Sequence, residues 1–145
     1  FASLPESGER QLGDVTLRWD ELRHPSGSSA FRIERGDDVF CFSGDVEVRK
    51  GCRASLEALA RDADVLLMDA QYFPSEYAAH EGFGHSTCTD AVEVAESCGV
   101  GRLYLTHHDP SHDDERLDAK ATMAREAAGD GLRVENARDD LTIAV

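Results

Sequence analysis

The histidines and several aspartates of this chain lie where the sequence pattern predicts loops or strand ends. Asp45 follows the apolar segment VFCFSG, Asp69 follows VLLM, and His107 follows LYLT. Because the carboxyl ends of parallel strands meet at one edge of an α/β sheet, these side chains are expected to lie close together. Imidazole and carboxylate are ligands for zinc, iron or manganese and also act as acids and bases. Each residue alone is better explained by a turn on a wet surface, but the set at successive strand ends favours a site.

The elements that carry these residues alternate between strands and helices. Apolar–polar alternation and short buried runs predict strands over residues 15–22, 29–34, 39–43, 65–68, 103–105, 132–135 and 141–145. Helices are predicted over 52–62, from Ser86 or Thr87 as N-cap to Cys98, and over 113–128. The first fourteen residues and residues 71–85 read as loops. A hairpin followed by alternating strands and helices predicts an α/β protein with a mixed sheet.

Composition limits the classes of partner. The 145 residues include 29 acidic and 15 basic side chains, which gives a net charge of −14. Such a domain repels phosphate, so a large nucleic acid is not expected as a partner. The sequence has no run of eighteen apolar residues and no basic segment followed by an apolar stretch at its start. A cytoplasmic protein without a membrane partner is therefore expected, and its four scattered cysteines are expected to be reduced and mostly buried.

Five short sequences, taken in order, resemble the metallo-β-lactamase fold hydrolases. They are HPSG at 24–27, FSGD at 42–45, MDAQY at 68–72, GHST at 84–87 and LTH at 105–107. The third and fourth are similar to the "HEAT" and "HST" loops of the ribonuclease Z-like and cyclic phosphodiester-cleaving branch. The resemblance covers about residues 20 to 115. It implies the C-terminal half of an αβ/βα metallo-β-lactamase-type sandwich, with a mixed sheet and flanking helices.

The resemblance also implies a role for each matching residue. His24 would bind a first divalent metal ion, Asp45 would bridge two metals, and His107 would bind the second. Zinc is favoured, with manganese or iron as alternatives, and the hydroxide shared by the metals would be the nucleophile. His85 would donate a proton to the leaving oxygen and Asp69 would orient it. That pair favours a small phosphodiester or nucleotide-like substrate over a β-lactam or a thioester.

The remaining histidines are assigned less central places. Because adjacent side chains point in different directions, only one of His107 and His108 is expected to face the metals, and its place after Leu-Thr favours His107. His112, beside two aspartates, is predicted to be a solvated residue at the start of the last helix. His80 is predicted to be a plain surface histidine, with a place in a substrate loop as the alternative.

One departure from the family pattern is large. The His-x-His-x-Asp-His sequence that supplies most ligands of the first metal is absent from residues 1–145. We therefore expect a single, partial domain whose missing half, or a second copy of the chain, completes the metal site.

Two other classes of protein stay open. One is a non-catalytic α/β binding module, and the other is a receiver-like signalling domain phosphorylated at Asp69 with Thr106 at the hydroxyl position. Neither Lys50 nor Lys120 lies where a receiver needs its lysine.

Overall fold

The computed structural model describes residues 5–22 and 24–145. Within them, one seven-stranded mixed sheet has its strands side by side in chain order. The strands are β1 (Ser7–Leu12), β2 (Val15–Leu22), β3 (Ser28–Arg35), β4 (Asp38–Phe42), β5 (Val65–Asp69), β6 (Arg102–Thr106) and β7 (Arg133–Asn136). The helices are α1 (Arg53–Ala60), α2 (Tyr77–His80), α3 (Cys88–Ser97) and α4 (Asp114–Ala127). The α/β class with a mixed sheet is confirmed.

The first four strands form an antiparallel meander. β2, β3 and β4 match the predicted strands, but the prediction of a loop over the first fourteen residues is wrong in part, because β1 pairs with β2 from Ser7 to Leu12. Most of β1 is exposed and its side chains do not alternate between apolar and polar. Its strand conformation therefore comes from backbone pairing with β2, which local sequence does not encode.

The second half of the sheet is parallel. β4, β5, β6 and β7 pair in parallel, joined by α1, α3 and α4 as crossovers. β5 and β6 are nearly continuous apolar runs, as expected for strands buried on both faces. The last predicted strand, 141–145, is wrong: these residues lie outside the sheet, where Ala144 accepts a hydrogen bond from the Arg102 guanidinium at 2.5 Å.

The helices pack on one face of the sheet and form the core with it. The prediction of a cap for α3 is confirmed at Thr87, whose side chain accepts from the Asp90 amide while the Asp90 carboxylate accepts from the Thr87 amide. All four cysteines are buried and unbridged. The sheet residues in this core include Leu22, Ala30, Cys41, Leu66, Met68, Leu103 and Leu105.

The opposite face of the sheet is apolar but only half covered. The strand register places Trp19, Phe31, Phe42 and Leu67 in one row across four strands. Among these only Trp19 is fully buried. In the neighbouring row, Ile33 is exposed to 37%. In the described part of the chain, no helix is long and apolar enough to cross a membrane.

Candidate metal centre

Three predicted residues lie at the carboxyl ends of neighbouring parallel strands. Asp69 is the last residue of β5, His107 directly follows β6, and Asp45 follows β4 after a two-residue turn. The turn needs glycine at position 44, where φ is +61° and an added Cβ would lie 2.6 Å from the Ser29 carbonyl oxygen. His107 adopts the left-handed conformation with φ 54°, which is uncommon for a residue with a side chain.

The loops bring two further histidines to the same edge. His24, Asp45 and His85 each offer a ligand atom, and these atoms all lie within 4.8 Å of one another. His107 is next to them: its Nδ1 is 3.5 Å from Asp45 Oδ1 and its ring stacks on that of His85 at 4.5 Å between centroids. The structure thus brings all four side chains together. The third member of the tight group is His85, which was predicted to transfer a proton, and not His107, which was predicted to bind metal.

His24 has the free nitrogen that a metal ligand requires. Its Nε2 is buried and makes no hydrogen bond to any residue that the structure describes. Its Nδ1 lies 2.9 Å from Ser26 Oγ and 3.3 Å from the Ser26 amide nitrogen. The Ser26 amide donates to Nδ1 here, so a cation at Nε2 requires the other tautomer, in which Nδ1 carries the proton and donates it to Ser26 Oγ instead. Two imidazoles and a carboxylate with one unpaired buried nitrogen fit a divalent transition metal.

Asp69 is fully buried and holds His85 in place. Its Oδ2 lies 2.7 Å from His85 Nδ1 and accepts from the Val46 amide at 3.0 Å. Its Oδ1 accepts from the amides of Gln71 at 3.1 Å and Ser86 at 3.4 Å. Burial alone would lower the pKa of His85, but the hydrogen bond and negative charge of Asp69 raise it above the ordinary value. His85 is therefore an imidazole held ready to carry a proton.

Lys120 binds the backbone that follows Asp69, a role that was not predicted from the sequence. It lies in the apolar stripe of α4 and is completely buried. Its Nζ donates to the carbonyls of Ala70 at 3.1 Å and Gln71 at 2.7 Å, directly after Asp69. Burial lowers its pKa to about 8. A single lysine among the small apolar residues of one helical face was the available signal.

The prediction for His112 is wrong. Its side chain is 2% exposed, with Nε2 3.2 Å from a Glu76 carboxylate oxygen and its ring against Phe73. The loop from β5 folds back over the start of α4, so a residue that looked solvated from its acidic neighbours is covered. His80 is half-buried and its ring stacks on Tyr72 at 4.4 Å between centroids.

The fold is a mixed α/β sheet, and imidazole and carboxylate side chains meet at the carboxyl ends of its parallel strands. These two features define a class of α/β protein with a candidate metal centre. A sequence model described as "Beta-lactamase superfamily domain" matches residues 4–108, and the chain belongs to this family. The receiver interpretation of Asp69 is therefore wrong. The antiparallel meander before β4 agrees with this conclusion, since a receiver sheet is parallel.

Relatives with curated names match part of the chain. Ribonuclease Z of Lactobacillus delbrueckii subsp. bulgaricus is 34% identical over 105 residues, which cover 60% of this chain and 34% of that protein. "Probable metallo-hydrolase YhfI" of Bacillus subtilis is 29% identical over 115 residues, covering 77% of this chain and 44% of that protein. The chain thus spans less than half the length of either relative.

Solved structures share the fold. YhfI of Bacillus subtilis, a metallo-beta-lactamase fold protein, superposes with a TM-score of 0.75 at 21% identity, covering 94% of this chain and 52% of that one. Human tRNase Z, short form, superposes with a TM-score of 0.72 at 22% identity, covering 96% of this chain and 47% of that one. These likenesses confirm the metallo-β-lactamase-type architecture.

The names of these relatives disagree with one expectation. Ribonuclease Z and tRNase Z are named for action on RNA, a large polyanion. The net charge of −14 therefore does not rule out a nucleic acid as partner. The physical reason is that a net charge sums the whole surface, whereas binding depends on the local field where the ligand sits.

Proposed function

We propose that this chain is part of a metal-dependent hydrolase that cleaves phosphodiesters. The observation that carries the proposal is the convergence of His24, Asp45 and His85 ligand atoms within 4.8 Å, beside the buried Asp69 carboxylate. Membership of the beta-lactamase superfamily and the likeness to ribonuclease Z support it. A receptor for neutral ligands would not need imidazole and carboxylate groups concentrated at one half-buried edge.

His24, Asp45 and His107 would hold divalent metal, with Asp45 between the two histidines. We propose that two divalent metal ions bind there. Zinc is the favoured metal, with manganese or iron as alternatives. Bound there, a divalent cation supplies a Lewis acid for the phosphoryl oxygen and a water of lowered pKa. Asp45 would supply anionic charge to the metal held there.

His85 and Asp69 would complete the reaction by proton transfer. The Nδ1 of His85 is engaged by Asp69, so Nε2 is the atom that gives a proton to the leaving oxygen. The raised pKa of His85 keeps that proton available near neutral pH. Asp69 is itself fixed by three backbone amides, which hold the imidazole in a single orientation.

The chain is proposed to be a partial domain, residues 1–145, that works with a further segment carrying the other metal ligands. Two observations support this. The chain spans 34% of the length of the ribonuclease Z relative. The sheet face opposite the helices is half covered, with Phe31, Phe42 and Leu67 each partly exposed. A second sheet packed on that face would bury this apolar row.

The test is a comparison of two leaving groups in the full-length protein supplied with Mn²⁺ or Zn²⁺. Bis-p-nitrophenyl phosphate releases a nitrophenolate, which leaves without a proton, whereas a dinucleotide releases an alkoxide, which needs one. We expect both to be cleaved, and His85→Ala to slow the dinucleotide about 10²- to 10⁴-fold while slowing the nitrophenyl ester far less.

Three results would contradict parts of this proposal. Equal slowing of both substrates would remove the proton-donor role of His85. A loss of Zn²⁺ affinity in His85→Ala, measured by calorimetry, would make His85 a metal ligand instead. No metal binding and no hydrolysis by the full-length protein would leave the non-catalytic binding module as the function.

A further inference from the structure

Glu47 is a buried acid beside the candidate metal centre that the metal and proton-transfer roles do not use. It follows Asp45 by two residues and its exposure is 2%. Its Oε1 accepts from the Tyr77 hydroxyl at 2.7 Å and from the Gly82 amide at 2.8 Å. Its Oε2 accepts from the Gly84 amide at 3.0 Å. One carboxylate therefore ties the segment after β4 to the loop that precedes His85.

The loop that Glu47 holds, residues 82–84, packs against the His24 ring. Gly84 has φ +101°, and a Cβ added there would lie 2.3 Å from His24 Cδ2 and 2.7 Å from His24 Nε2. The backbone of Gly84 is thus packed directly against the His24 ring. On its other side Gly84 is bonded to His85, whose ring centroid lies 5.2 Å from that of His24. Any shift of Gly84 moves both imidazoles relative to Asp45.

We infer that Glu47 is a positioning residue that sets the spacing of His24 and His85 around Asp45, by holding the Gly82 and Gly84 amides. The inference rests on the proposed function only where metal binding is the readout. Its geometric part concerns two histidine rings and two amides, and is tested without metal or substrate.

The electrostatics of Glu47 agree with this role. Burial would raise its pKa, but the hydrogen bonds from Gly82, Tyr77 and Gly84 lower it below the ordinary value. The Tyr77 ring is in turn fixed by the Arg49 guanidinium, whose carbon lies 4.3 Å from the ring centroid. A glutamine at position 47 keeps the shape but turns an –NH₂ group toward at least one of the three donors.

The experiment uses Glu47→Gln in the full-length protein, with Glu81→Gln as matched control. Glu81 is in the same loop, carries the same charge and is exposed, and its side chain pairs with Lys50 at 2.5 Å. In metal-free protein, we expect Glu47→Gln to shift the Gly82 and Gly84 amide resonances upfield and to weaken the nuclear Overhauser contact between the His24 and His85 rings. In calorimetry with Zn²⁺ alone, we expect its affinity to fall about 10- to 100-fold, as when outer residues that orient ligands are removed. Glu81→Gln should leave the Gly84 amide resonance, the contact between the two rings and the Zn²⁺ affinity unchanged; the Gly82 amide is left out of this comparison because it is bonded to residue 81.

Each outcome decides the inference. Wild-type Zn²⁺ affinity in Glu47→Gln, with the amide bonds shown to be broken, would overturn it. Equal weakening by Glu81→Gln would also overturn it, because charge rather than position would then be the cause. If Glu47→Gln does not fold, Tyr77→Phe removes one of the three bonds, and a smaller loss of affinity in the same direction is expected. If the wild type binds no Zn²⁺, the proposed function fails, while the ring contact and the amide shifts still test the positioning.

Discussion

Replacing the Asp69 carboxylate by an amide should destabilise the protein and lower the pKa of His85 together. In Asp69→Asn, either orientation of the amide turns its –NH₂ toward a buried backbone donor, since Oδ1 serves Gln71 and Ser86 while Oδ2 serves Val46 and His85. A buried donor left unpaired costs about 1–3 kcal/mol, and a hydrogen bond to a charged group contributes about 1.5–3 kcal/mol. Because Asp69 is 0% exposed, solvent does not screen these costs. We expect the free energy of unfolding to fall by about 3 kcal/mol.

Urea unfolding measures the first effect, and NMR titration of His85 in metal-free protein measures the second. Asp64→Asn is the control, because Asp64 precedes the same strand but is exposed, and its carboxylate accepts a single hydrogen bond, from the Val39 amide at 2.8 Å. It should cost less than about 1 kcal/mol. The folded pKa of His85 is raised, so the stabilisation from its pairing with Asp69 is complete below the unfolded pKa of about 6.5 and is lost as pH rises through the folded pKa. Equal losses in the two variants, with an unchanged His85 pKa, would refute the reasoning.

Two further predictions concern Lys120 and Gly84. Lys120→Met should cost about 1–3 kcal/mol in urea unfolding at pH 7, because two buried carbonyls lose their donor. Burial holds the folded pKa of Lys120 at about 8, below the ordinary lysine value of about 10.5. Wild-type stability should therefore rise relative to Lys120→Met between those two pH values, and a constant difference would contradict the burial of the charge. Gly84→Ala should lower the midpoint of thermal unfolding and weaken Zn²⁺ binding, since its Cβ would collide with the His24 ring. Gly131→Ala, where nothing lies within 4 Å of an added Cβ, should leave both quantities unchanged, and equal effects of the two variants would refute the packing argument.

Local pattern was enough for the elements that carry their own signals. β5 and β6 are predictable because each is a short run of apolar residues. The start of α3 is predictable because the capping box at Thr87 joins residues three apart in the sequence. β1 could not be predicted, since it exists through pairing with β2 rather than through its own side chains. Residues 141–145 alternate like a strand but lie outside the sheet.

In the candidate site, too, some features follow from local sequence and others depend on tertiary folding. Asp45, Asp69 and His107 were predictable because strand ends in a parallel sheet share an edge. Their distances were not, and neither was the place of His85 within the tight group, because loop geometry sets both. Glu47 and His112 escaped prediction because a polar side chain or acidic neighbours suggest exposure. Both are buried by the segment 71–85, which was predicted to be a loop throughout but contains α2.

The central claim is that His24, Asp45 and His107 hold divalent metal, with His85 beside them as the proton donor. Its most direct test is a crystal of the full-length protein grown with Zn²⁺ or Mn²⁺, with data collected at the absorption edge of the metal. We predict an anomalous difference peak between Asp45 and the histidines, within coordination distance of His24 Nε2. No peak there at millimolar metal, with these four side chains still converging, would contradict the account.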